Sequence, residues 1–375
     1  SASASTTKGK AVAEGELDDA IGADLYSTKV GGIASVTGQV SADGSASAET
    51  VVGDAEAFYE VDDNDGLDAG SIDVASDAQL TGLSNLDVLA SAQSTSGGSA
   101  DAESVIDDSY GADLYDLKVG GVATIGGQST TNSGAQAINV EGDAKAYEDT
   151  DDSYGLEASQ IKVASDATLQ GIADATSSAS ASTTDGDANS TSDVGESLGS
   201  QLTNLTVGGI GTLSGLSNLT SSSEASSVVG AADALASLDL AEGLGIEAKL
   251  TVASDATVVG TASIGSSADA STTNGKATAT STSDVITGAD LSGGMVDIGG
   301  ISSIAGQANF DLSASSTNVS GKSTAKADSA DATGLIGGKG AFGIDVASDS
   351  DLSGVAIGSL TTDASSTAGS ADAFA

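Results

Sequence analysis

Apolar and polar residues alternate along most of this chain. In Ala179-Ser180-Ala181 and Ala277-Thr278-Ala279-Thr280, small apolar residues exchange with hydroxylated ones at a period of two. That period sends successive side chains to opposite faces of a strand, leaving one face small and apolar and the other hydroxylated. Only Ala231–Glu242 also suits a helix, and it sits where other copies place a strand, so a strand is expected there as well.

The breaks in the alternation recur. A unit opening on Gly22 restarts near residues 66, 111, 155, 199, 243, 288 and 334, at spacings of 44 to 46. Residues 1–21 match only its second half, so the chain reads as a partial half-repeat followed by eight tandem β-repeats over 22–375, forming one continuous array. Self-similarity at such a period indicates a stacked repeat architecture. The expected fold is an all-β repeat β-solenoid in which each unit makes one coil of several short strands, rising about 4.8 Å per coil. Stacked β-hairpin sheets are the alternative.

Glycines punctuate every unit. Gly9, Gly53, Gly97-Gly98, Gly142, Gly186, Gly230, Gly275, Gly321 and Gly369 fall between alternating runs, with Asn274-Gly275 and Asp185-Gly186 carrying hairpin-type turn chemistry. The Gly22 series reads as a second set of corners. A third break alternates between two versions. Val-Gly-Gly or Ile-Gly-Gly begins at Val30, Val119, Val207 and Ile298, and Val-Ala-Ser-Asp at Val74, Val163, Val252 and Val346, which makes the full period about 89 residues. Asp77, Asp166, Asp255 and Asp349 in the second version are expected to hydrogen-bond nearby backbone amides, as Asx turns do.

Composition narrows the chemistry. The chain has no Pro, Cys, His or Trp, and aromatics make up 3%. Absence of Pro suits continuous ladders. Absence of Cys removes disulfides and thiolate metal sites, and absence of His removes the usual general base, so no enzymatic activity is expected. A low-complexity acidic chain also fits disorder, but Val, Ile and Leu recur at matching places in each copy. The formal charge is −43, with 54 acidic against 11 basic residues, which excludes nucleic acid as a natural partner. No apolar run approaches the roughly 18–20 residues that a membrane-spanning helix needs, so no membrane insertion is expected. Starting at Ser1, the chain suggests a cleaved secretory leader and an extracellular or cell-surface location.

Candidate chemistry concentrates at the acidic junctions. Asp18, Asp19 and Asp24, then Asp62, Asp63, Asp65 and Asp68, then Asp107, Asp108 and Asp113, then Asp151, Asp152 and Glu157 offer hard oxygen ligands suited to calcium. An EF-hand register fails, because its first position would be Val61 and its twelfth Ile72. The nonapeptide calcium repeat fails as well, with Phe342 where Asp is required. Tyr26, Tyr59, Tyr110, Tyr115, Tyr147 and Tyr154 all lie in the first four units, as packing groups or as a glycan-contacting surface. Rows of outward hydroxyls would suit glycan or cell-surface contacts too.

With these features the chain resembles, broadly, the repetitive acidic fibres and β-solenoid adhesins of bacterial surfaces. That resemblance implies a structural filament subunit that assembles with itself head to tail by β-edge pairing. An adhesin stalk or phage fibre segment, and a halophile surface-layer protein, are the other two expectations.

Overall fold

The computed structural model describes residues 1–337 and 343–375; the stretch from Gly338 to Phe342, used above in rejecting the nonapeptide repeat, lies outside them. The chain is an all-β solenoid, and among the described residues every strand pairing is parallel. Register carries from coil to coil, with shifts only near Thr203–Leu205 and Gly245–Glu247 among the described residues: Ala2 lies beside Ala46, Ala46 beside Ala90, Ala90 beside Ala135, and Ala135 beside Ala179.

From the third coil on the coils are built of two long half-coils rather than several short strands. In the first two the acidic half is broken into shorter strands such as Ala11–Leu17 and Ala20–Tyr26. In the third coil an acidic half, Ala100–Val119, is followed by a return half, Ala123–Glu141. Strands of 19 or 20 residues make faces roughly 60 Å broad, while eight coils stack only about 40 Å high. The hairpin alternative is overturned at the glycine turns. Ala78–Ser96 pairs with Ala34–Val52 and Ala123–Glu141, a coil below and above, and not with Ala100–Val119 across the turn. The turns therefore fold one sheet over onto the other.

Those turns are glycine for two reasons. Gly53, Gly142, Gly186 and Gly230 have φ between 121° and 142°, where an L side chain is strained. Each also sits directly over the turn below, so a Cβ on Gly142 would stand 2.0 Å from the Gly98 carbonyl oxygen. That carbonyl accepts from Asn139 Nδ2 at 2.8 Å, and the same contact recurs from Ser94 to Gly53 and from Thr183 to Gly142.

The Gly22 series is not a set of corners. These glycines lie mid-strand, where the acidic half touches the return half through bare backbone. A Cβ on Gly111 would fall 2.1 Å from Gln128 N, and one on the facing Gly127 would fall 1.9 Å from Gly155 O. Gly66 and Gly82, Gly155 and Gly171, and Gly199 and Gly215 repeat the contact. This waist divides the interior into two cores. One, toward the glycine turns, is mostly Ala, with Ala90, Ala92, Ala100, Ala102, Ala135 and Ala137 buried. The other, toward the opposite corner, is larger-grained, with Leu80, Leu114, Leu117, Ile125, Ile161 and Leu169. Ordinary burial of these side chains drives closure on both sides.

Hydroxyls also enter the interior, contrary to a wholly apolar inner face. Beside the waist Ser109 Oγ lies 3.0 Å from Ser84 Oγ and 2.8 Å from Ser129 Oγ, and Ser129 lies 3.0 Å from Ser153, so these buried hydroxyls find partners in adjoining layers.

At the third break the two sequence versions interlock. The carboxylate of Asp166 reaches up one coil and accepts from Ile210 N at 2.8 Å; Asp77 does the same for Val122 N at 2.9 Å and Asp255 for Ile301 N at 2.8 Å. The Asx expectation thus holds for the type of bond, but the amide belongs to the next coil. Room for the carboxylate comes from the second glycine of the receiving corner, because a Cβ on Gly121 or Gly209 would stand 2.1 or 2.2 Å from the same Oδ1. An aspartate coil is therefore followed by a glycine coil, which accounts for the doubled period. Asp166→Ala is expected to cost about 1–2 kcal/mol. Gly209→Ala should cost more with Asp166 present than in the Asp166→Ala background, by at least about 0.5 kcal/mol, in a double-mutant cycle read by urea denaturation.

Candidate functional site

The acidic junctions stack into columns on one outer face of the first four coils. Asp24, Asp68, Asp113 and Glu157 form one column by direct pairing. Asp108 pairs with Asp152, and the same register aligns them with Asp63 and Asp19. Asp18, Asp62, Asp107 and Asp151 complete a third column, immediately after the paired Leu17, Val61 and Ile106. Two consecutive Asp residues can both leave the core because the alternation slips by one there, with Asp107 and Asp108 both half-buried between Ile106 and Ser109.

Rungs about 4.8 Å apart place like charges face to face, which is destabilising without compensation. Among the described residues five ion pairs form, none of them involving these columns. Burial first, then neighbouring carboxylates, drives protonation upward. Asp65 is pushed up to about 7 by burial and by Asp68 and Asp113, and Asp108 to about 6 by burial and Asp152. Asp107, Asp113, Asp151 and Glu157 are raised for the same reasons. Further along, Glu242 is pushed up to about 8 by burial and Asp290.

Metal-like spacing arises at two places, both on Asp62. Oxygens of Glu16, Asp18 and Asp62, and of Glu60, Asp62 and Asp107, lie within 4.8 Å of one another. Of the thirteen expected ligands only Asp18, Asp62 and Asp107 thus converge, joined by Glu16 and Glu60, which sequence reasoning passed over. Their signal was present as outward positions two residues before each Asp. Asp19, Asp24, Asp63, Asp65, Asp68, Asp108, Asp113, Asp151, Asp152 and Glu157 do not reach that spacing among the described residues. Three carboxylates offer oxygens suited to calcium, which takes 6–8 ligands and would complete its shell with water.

The tyrosines mostly serve the stack. Tyr110 and Tyr154 lie in successive rungs with ring centroids 4.8 Å apart and planes 5° from parallel. Tyr26 Oη donates to Asp68 at 2.6 and 2.7 Å, and Tyr59 fills the core space left by Gly15 and Gly44. Sequence reasoning also missed Glu148, a fully buried carboxyl that accepts from Thr150 Oγ1 at 2.8 Å. Burial raises its protonation well above the ordinary carboxylate range.

Comparison with protein-family models, with curated proteins and with solved structures finds no match to this chain. Function is therefore argued from the geometry alone.

Carboxyls with raised folded values bind protons more tightly in the native state than in the unfolded chain. Their contribution to stability is present at low pH and is lost as pH rises through those values. The urea midpoint is accordingly expected to increase as pH falls from about 8 to about 5. A midpoint that decreases over this interval would contradict the arrangement.

Proposed function

We propose that this protein is a structural subunit of an extracellular or cell-surface fibre that lengthens by adding coils head to tail at its open edges. The observation that carries this reading is the parallel stacking itself, in which each coil offers the next a full ladder of backbone groups that a coil of another chain could take up in the same way. Ser350–Phe374 leaves Leu352 and Leu360 of its inner face and Val355 and Ile357 of its outer face exposed. Long, apolar edge strands recruit other strands unless charge or covering blocks them. The first coil supports the same reading. Its Gly31-Gly32 corner has open space where later glycine corners receive an aspartate, and its Ile33 is 72% exposed. An incoming coil of the aspartate type would fit beneath it, and a glycine-type coil above Asp349.

Charge limits the association to the ends. Broad faces carrying most of the −43 repel one another, whereas the edges attract through backbone and apolar groups. Calcium enters the proposal as a counter-ion at the Asp62 clusters, relieving repulsion between rungs without being required for folding.

Sedimentation and negative-stain microscopy over a wide concentration range, with and without calcium, test this reading. Mass should rise with concentration, threads about 60 Å wide should appear, and Ile357→Lys should suppress both. A chain that stays monomeric throughout would rule the proposal out.

A further inference from the structure

The outer face of the first four coils also carries a groove that fibre formation does not use. Its floor is the backbone of Ala57 and Ala102, and its volume is about 420 Å³. One wall is the column Glu14, Phe58, Glu103, Tyr147, in which acid and aromatic rungs alternate. The opposite wall holds Glu56, Asp101 and Lys145.

Compensation inside the groove is incomplete. Glu56 pairs with Lys10. Asp101 accepts from Ser99 Oγ through Oδ2 at 2.8 Å, and its Oδ1 has no hydrogen-bond partner. Among the described residues no cation is paired with Glu14 or Glu103, and burial together with Asp149 raises the protonation of Glu103. Tyr147 is steadied by its hydroxyl, which donates to Asp149 Oδ2 at 2.7 Å.

We propose that this groove binds a linear aliphatic polyamine, with ammonium groups on Glu14, Asp101 and Glu103 and the methylene chain laid over Phe58 and Tyr147. Aromatic faces attract alkylammonium groups, and the acid rungs supply the countercharge. Glu14 and Glu103 lie two rungs, about 9.6 Å, apart, close to the separation of the terminal ammonium groups of an extended triamine with three- and four-methylene spacers, so one molecule can bridge them across Phe58. A neutral sugar chain would leave the carboxylates uncompensated. Calcium fits poorly, because aromatic rungs separate the acid rungs and, among the described residues, these form no metal-spaced cluster. The same two columns further along hold Asn189, Asp233 and Thr278, and Thr191, Leu235 and Thr280, where the acid and aromatic alternation is gone, and Lys276 beside them lies 3.8 Å from Asp233. Binding therefore belongs to the first four coils.

Calorimetric titration of the whole chain with spermidine at low salt tests the assignment, with circular dichroism confirming that each variant is folded. One tight class of site is expected above a diffuse background. Glu14→Gln with Glu103→Gln should weaken it at least tenfold, and Phe58→Ala with Tyr147→Ala roughly three- to tenfold. Glu224→Gln with Asp269→Asn, which line a different depression, should leave it unchanged. Equal binding by all variants would make spermidine a diffuse counter-ion and overturn the proposal. Displacement by calcium at matched ionic strength, or tighter binding of a neutral oligosaccharide with the same variant dependence, would overturn it too. None of these outcomes bears on end-to-end association, which is read by sedimentation.

Discussion

Everything in this molecule depends on the approach of backbone to backbone at the waist. With Gly111 and Gly127 in contact, the two half-coils cannot separate to admit larger side chains nearby, so Ala and Ser fill the adjoining interior. An interior of small residues contributes little per side chain to burial, and the structure compensates by repetition and by continuous parallel ladders. The waist also keeps two cores in one register. Small residues lie toward the glycine turns, and Leu, Ile and Val toward the opposite corner.

Stacking then sets the electrostatics. A parallel coil with a fixed period places each residue directly on its counterpart, so any charge that recurs in the repeat faces itself. Turn aspartates escape this because each accepts an amide from the coil above, with glycine making the space. Junction aspartates do not, and their proton affinity rises instead. The acidic face is thus a consequence of repetition.

Alternation at period two and the recurring turn glycines made the all-β solenoid legible in the sequence, together with its doubled period. What the sequence concealed were contacts made one coil away. The doubled period was visible, but its cause lies in Asp166 meeting Gly209, 43 positions further along. The Gly22 series was read as corners because glycine at a fixed place usually marks a turn, whereas here its missing Cβ is the point. A bend at Ser27, Ser71, Asp116, Gln160, Asn204 and Ala248, with φ between 50° and 63°, carried no signal, since five of these are ordinary polar residues and the sixth is Ala. At the candidate site the Asp columns were legible. The convergence on Asp62 was not, because Glu60 and Glu16 looked like ordinary outward residues of a strand.

The waist can be tested against its own neighbour. Gly126 and Gly127 are adjacent in one strand, but a Cβ on Gly126 would meet nothing closer than 4.0 Å, while one on Gly127 would meet the Gly155 carbonyl at 1.9 Å. Urea denaturation of Gly126→Ala should show stability unchanged or slightly raised, by up to about 1 kcal/mol. Gly127→Ala should lose at least about 3 kcal/mol or fail to fold. Equal stability of the two variants would contradict the claim that bare backbone contact holds the coil closed.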